Sequence, residues 1–421
     1  MLKNITGTFF TRIVVSVLNF AIIILTAKFM GAEVRGAISL CMLAIAIAGL
    51  LNEIIGGPAI VYLVPRFNNK TLALFSYTWA ILISILCSLL LGLFSFYDFA
   101  LFPLVCGCSL LLCAGSIHQF LLLGHQKIKA FNSIALMQSS SLFIVFVGFM
   151  LMNVYDIYTY FYALLAAYIM AFIIGFKQTS FIWKNDFTLS EKPTLKLLFN
   201  NGLLTQLASL THLMSSRITF YFSSHFLSLT FVGVLSTAVS ISEAAMLFSS
   251  SVALITASNV ANEIDKTKAA NTTLKLIKLS LLISATILLA LSLFPESFMS
   301  FIFGKDFKGI KIIIFTLIPG AIATSISQVI SHYYSGLGKY SINTKVGFIS
   351  LTVSLLAALL FLKTSSVLLP GLIISGSAIA AMIYFVRLFL NDHHWAVQDL
   401  MPSSNDVKIL YSKLVQLKNQ R

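Results

Sequence analysis

Charge is scarce in this chain of 421 residues. Charged side chains make up 10% of it, with only 14 Asp and Glu against 28 Lys and Arg, while 58% of the residues are hydrophobic. An ordinary soluble domain is about 25% charged. A soluble fold of this length has too little interior to hide so much apolar surface. A cytosolic enzyme, a disordered chain and a nucleic-acid-binding protein are therefore excluded. Cysteine is sparse as well: Cys41, Cys87, Cys106, Cys108 and Cys113 all fall in apolar runs, so there is no disulfide framework. Cys106-x-Cys108 with Cys113 has a metal-like spacing, but no His or acid flanks it in water. It reads as small buried thiols, and neither a metal nor another cofactor is expected. A phosphate loop of the form GxxxxGK[ST] is missing, since Gly338-Lys339 is followed by Tyr340 and lacks the upstream glycine. No cleavable leader is expected. Only MLKNITG precedes the first apolar run, which continues past Arg12 to about Phe29 and reads as a retained span.

What is present is a series of apolar runs. They lie near 9–29, 38–64, 71–96, 99–123, 131–152, 155–176, 200–224, 231–257, 275–294, 309–334, 343–363 and 367–390. Each is long enough to cross a hydrocarbon core of about 30 Å as a helix. The ten-residue alternation of a membrane β-barrel is absent. The expected fold is an all-α polytopic membrane protein with twelve transmembrane helices in two six-helix bundles. With the N-terminus in the cytoplasm, 21 Lys and Arg fall inside and six outside. That bias places both termini in the cytoplasm. The expected division is an N-terminal bundle over 1–183, a cytoplasmic linker over 184–199, a C-terminal bundle over 200–390 and a cytoplasmic tail over 391–421. The tail has a cap signal at Ser404/Asn405 and apolar residues at helical spacing. It reads as a basic amphipathic helix on the membrane surface, or equally as a solvated, frayed helix.

The two halves repeat weakly. Shifted by 197, AKFMGAEVRGAISL falls on SHFLSLTFVGVLST, so that Phe29 meets Phe226 and Gly36 meets Gly233. Shifted by 212, Gly124-x-x-Lys127 meets Gly336-x-x-Lys339. Two parallel six-span bundles suit alternating access.

Ionisable groups inside spans are costly and point to function. Glu53, Arg217 and Glu243 stand deep in spans, and Arg12 lies near the cytoplasmic end of the first. Polar residues share helix faces: Arg12, Ser16, Asn19 and Thr26 in span 1; Thr205, Ser209, His212, Ser216, Thr219 and Ser223 beside Gln206 and Arg217 in span 7. Ser236, Ser240, Glu243 and Ser250 do so in span 8, and Ser325, Gln328 and His332 in span 10. These stripes line a hydrated cavity or pack helices tightly. His118, His212 and His332 read as satisfied hydrogen-bonders. Arg217 and Glu243 either act in transport or neutralise each other across neighbouring helices. Glu53 reads as a functional acid or as a helix-end polar pair with Asn52. Pro58, Pro103, Pro319 and Pro370 fall within spans, where proline can kink a helix.

The stretches TAKFMGAEVRGAISL, LLLGHQKIKAFNSI, SSRITFYFSSHFLSLTFVGVLSTAVSISEAA, FIFGKDFKGIKIIIFTLIPG and HYYSGLGKYSINTKVG, with twelve spans, resemble the polysaccharide transporter branch of the multidrug/oligosaccharidyl-lipid/polysaccharide (MOP) exporter superfamily. Two positions depart from it: Thr219 stands where members often have an acid after the span-7 Arg, and Gly233-Val-Leu-Ser236 where they often have Gly-x-Tyr-Ser. The first departure moves any ion coupling to Glu53 or Glu243. The resemblance implies a V-shaped pair of bundles in the bacterial cytoplasmic (inner) membrane. It implies flipping of an undecaprenyl-pyrophosphate-linked oligosaccharide for O-antigen, capsule or exopolysaccharide biosynthesis. Arg217, with Arg12 at the entrance, would bind the pyrophosphate; Asn19, Gln206, Gln328 and His332 would bind the glycan. Membrane lipids are expected partners, and the resemblance leaves room for a polysaccharide polymerase beside it.

Two rivals stand against this reading. An ion-coupled drug or metabolite exporter belongs to the same class, but deep Arg217 disfavours a cationic drug. A membrane glycan polymerase or glycosyltransferase needs acids at a membrane face. The outer loops hold only scattered Glu33, Asp98, Asp156, Glu296 and Asp306, with no carboxylate pair.

Overall fold

A computed structural model describes residues 2–184, 195–361 and 366–400. The expected linker over 184–199 falls largely outside them, and so does the tail beyond residue 400. Among the described residues the protein is helical, with no strands. The helices are α1 (Leu2–Gly56), α2 (Pro58–Leu63), α3 (Asn69–Leu93), α4 (Phe102–Gly124), α5 (Ile128–Leu151), α6 (Ile157–Lys184) and α7 (Leu195–Phe226). They continue as α8 (Leu229–Ala245), α9 (Leu247–Asn262), α10 (Lys266–Leu293), α11 (Glu296–Phe303), α12 (Ile310–Gly336), α13 (Tyr340–Phe361) and α14 (Leu369–His393).

The twelve spans follow from where these helices break. α1 is two spans joined at Gly31, whose φ of 82° and ψ of 171° are open only to glycine without strain. α8 and α9 form one span bent by 50° at Met246. With α3 to α6, α7, α10 and α12 to α14 the count is twelve. The prolines behave differently from expectation. Pro103 and Pro370 sit in the first turns of α4 and α14, where their missing N–H is not needed, and Pro58 opens α2. Among these four, only Pro319 lies inside a helix. The second span is broken at Gly56-Gly57 rather than bent by Pro58.

Packing divides the chain into two compact units. The first comprises Met1–Leu210, Phe220–Thr237 and Met299–Lys308; the second comprises Thr211–Thr219, Ala238–Phe298 and Gly309–Arg421. In the first, Ile54, Ile60, Leu63, Leu72, Ile117 and Ile182 form a core. His118 is buried between Tyr77 Oη (2.8 Å to Nε2) and Thr179 Oγ1 (2.8 Å to Nδ1), a satisfied hydrogen-bonder as expected. In the second, Val329, Ile330, Tyr334, Phe385 and Phe389 form a core. Small polar residues draw its helices together: Ser249 meets Ser284 and Ser280, each at 2.7 Å. Without a hydrophobic force between helices in lipid, such close contacts and buried hydroxyl bonds hold spans together.

The repeat has a structural counterpart inside the first unit. A Cβ on Gly36 would collide with the carbonyl oxygen of Leu229, and one on Gly233 with that of Ala32. Leu229 is the partner of Ala32 under the same shift that pairs Gly36 with Gly233. Ser39 and Ser236 obey it too, and their Oγ atoms are 2.7 Å apart, 197 residues separated in sequence. Equivalent residues thus meet each other reciprocally, as they do across a two-fold axis.

Candidate functional site

α7 carries the longest polar stripe, but several hydroxyls on the helix bond back to its own carbonyls. Ser215, Ser216 and Thr219 donate to the carbonyls of His212, Leu213 and Ser216 on their own helix. Thr26 on α1 likewise donates to the Ile22 carbonyl at 2.8 Å. Such back-bonding satisfies a hydroxyl in lipid and removes it from recognition. The Thr205 side chain lies outside the described residues. Ser209 and His212 are exposed on α7, and Arg217 is half-buried.

Arg217 Nη2 donates to Glu243 Oε1 on α8 at 2.6 Å, both in the second unit. The side chains are 18% and 46% exposed respectively. The alternative in which these residues pair across neighbouring helices is therefore the observed geometry. His212, also exposed, lies within electrostatic reach of both. Glu243 stands in the last turn of α8. Its own carbonyl accepts from Met246 N–H at 3.0 Å, immediately before the chain turns into α9. One turn into α9, Ser250 Oγ donates to Gln328 Oε1 of α12 at 3.0 Å. His332 Nδ1 lies 2.9 Å from the Gln328 carbonyl. Gln328 and His332 are thus neighbours, both half-buried.

The other acid has a neutral setting in the first unit. Glu53 is half-buried near the end of α1, and the Gln206 side chain is its hydrogen-bond partner. The approach of α7 is close there, with Gly202 packed on the Ile54 carbonyl. Asn52 does not pair with Glu53. Its Nδ2 reaches the Cys113 carbonyl at 3.3 Å and Ser116 Oγ at 3.2 Å on α4. Arg12 and Asn19 project from α1 as exposed side chains. The structure therefore brings together Arg217 with Glu243, Gln328 with His332, and Glu53 with Gln206. Sequence reasoning missed the break at Met246, which neither Pro nor Gly marks. The available signal was the run Ser249-Ser250-Ser251, since serines loosen helices by competing for backbone carbonyls.

No protein-family profile and no curated protein matches this sequence. Solved structures do. An inward-facing multidrug resistance MATE family transporter of the MOP superfamily superposes with a TM-score of 0.72 at 16% identity, over 90% of this chain and 94% of that one. The lipid II flippase MurJ in an inward closed conformation gives 0.72 at 18% identity, over 99% and 93%. A MATE transporter in complex with MaL6 gives 0.64 at 16% identity, over 92% and 95%. The chain has the fold shared by MATE transporters and MurJ.

Proposed function

We propose that the protein flips an undecaprenyl-pyrophosphate-linked oligosaccharide across the bacterial cytoplasmic membrane by alternating access, for surface polysaccharide biosynthesis. The observation that carries this reading is Arg217: a guanidinium inside a span, with a more exposed carboxylate as its counter-ion. A guanidinium suits a diphosphate, whose oxygens match its fork of donors. The fold shared with a lipid II flippase supports the same class of cargo. In this reading Arg12 receives the diphosphate and Asn19, Gln328 and His332 meet glycan hydroxyls. Glu53 with Gln206 is a candidate coupling site. The bundles 1–183 and 200–390 rock against each other, both termini are cytoplasmic, and a polysaccharide polymerase consumes the product.

The equally high TM-score to a multidrug MATE transporter favours a second reading, an ion-coupled exporter of small molecules. A deletion strain separates the two. Its lipid-linked glycans are extracted, and their leaflet is probed on spheroplasts with a membrane-impermeant sugar-binding protein. Complete repeat units accumulating on the inner leaflet, reversed by the wild-type gene, are expected of the flippase. Normal outer-leaflet glycolipid with changed sensitivity to toxic compounds would replace it with the exporter.

A further inference from the structure

We infer that Glu243 is a resident competitor for the anion site: it holds the Arg217 guanidinium where a phosphoryl oxygen of the cargo binds, and loading exchanges one anion for the other. This rests on the reading of Arg217 as the diphosphate-binding residue and specifies how that site is regulated.

Three features set this pair apart from a bridge built to hold helices together. Between these two described side chains the bond runs from Nη2 to Oε1, rather than as the two-bond fork that gives Arg–carboxylate pairs their rigidity. Its exposure is lopsided. The guanidinium is mostly covered and the carboxylate is open, so an incoming anion meets Glu243 first and reaches Arg217 by displacing it. Finally, Glu243 is carried on the last turn of α8, one turn before the bend into α9. The carbonyl end of a helix disfavours a carboxylate. Arg217 is the counter-charge that holds it there, and the bend gives the turn room to reorient. Among the described residues, His212 on α7 is a titratable group that interacts with both members.

The exchange answers two requirements of a carrier. The empty site crosses the bilayer as a neutral pair, which avoids the cost of moving a bare cation through hydrocarbon. The loaded site places the freed Glu243 carboxylate beside the diphosphate, and the repulsion between them favours release. A site must bind well enough to load and weakly enough to unload.

The test uses the full-length protein in lipid nanodiscs, with farnesyl diphosphate as the probe and farnesol as the control. Wild type is expected to bind the diphosphate in preference to the alcohol. Glu243→Gln keeps the side-chain shape, removes the competitor and is expected to bind about tenfold tighter, with slower flipping in liposomes. Arg217→Ala is expected to lose binding, and the double variant to match Arg217→Ala. Thermal unfolding confirms that each variant is folded. Should Glu243→Gln be unstable, Glu243→Asp, which draws the carboxylate back by one methylene, is expected to bind tighter by a smaller factor. Binding by wild type with Glu243→Gln or Glu243→Asp no tighter would overturn the exchange and leave the flippase reading standing. No diphosphate binding by wild type would overturn the flippase reading and the exchange with it.

Discussion

Spans 2 and 8 begin alike and end differently. Their first turns, 32–39 and 229–236, match under one shift and meet each other through Gly36, Gly233, Ser39 and Ser236. Their later turns share little. Span 2 runs to Glu53, paired with a neutral amide, and stops at Gly56-Gly57. Span 8 reaches Glu243, paired with Arg217, bends at Met246 and continues. Under the shift that aligns their beginnings, Glu53 falls on Ser250 and Glu243 on Ala46. Symmetry persists where two backbones touch, because a carbonyl so close to a Cβ position admits only hydrogen. It lapses where no backbone contact constrains the residues, and there the two spans carry different charges, Glu53 on one and Glu243 on the other.

The harshest way to break the symmetric end is to fill it. Gly36→Leu or Gly233→Leu puts a side chain where a backbone carbonyl already lies. The expected cost is at least about 3 kcal/mol, read as loss of monodisperse protein after detergent extraction. Normal yield and melting temperature would show that these helices part without penalty. At the asymmetric end, Arg217→Ala is expected to abolish glycan export while the protein still inserts. Unchanged export would remove Arg217 from the site.

Glu53→Gln sharpens the contrast between the two acids. It keeps the shape and the hydrogen bond to Gln206 and removes only charge, so the melting temperature is expected to hold while export falls severalfold. A loss of folded protein instead would make Glu53 a structural residue. A gentler probe of the symmetric contact is the Ser39→Ala/Ser236→Ala cycle, for which a coupling of about 1 kcal/mol is expected; no coupling would leave the glycines alone responsible.

The smallest effect lies outside both helices. Asp265 caps α10 by accepting from Thr267 and Lys268 N–H at 2.9 and 3.3 Å. Those bonds hold its carboxyl below the usual range. The charged form is the one the fold favours, so its contribution is present above the ordinary carboxylate pKa and is lost as pH falls through the lowered one. Amide exchange at 267–269 is expected to quicken in that acidic window, and in Asp265→Ala at every pH.

Composition and run length alone determined that this chain is a twelve-span helical membrane protein, because apolar length sets what can cross a bilayer. Gly36 and Gly233 announced the repeat, because close backbone contact leaves a trace in residue size. Glu53, Arg217 and Glu243 were legible as costly groups in lipid. The pairing of Arg217 with Glu243 was legible only as one of two alternatives, because a helix face shows where side chains emerge and not which neighbour they meet. Only the tertiary structure placed Gln206 on Glu53, turned the Ser and Thr stripes back onto their own carbonyls and broke span 8 at Met246. Those outcomes depend on distances between helices, which a linear pattern does not contain.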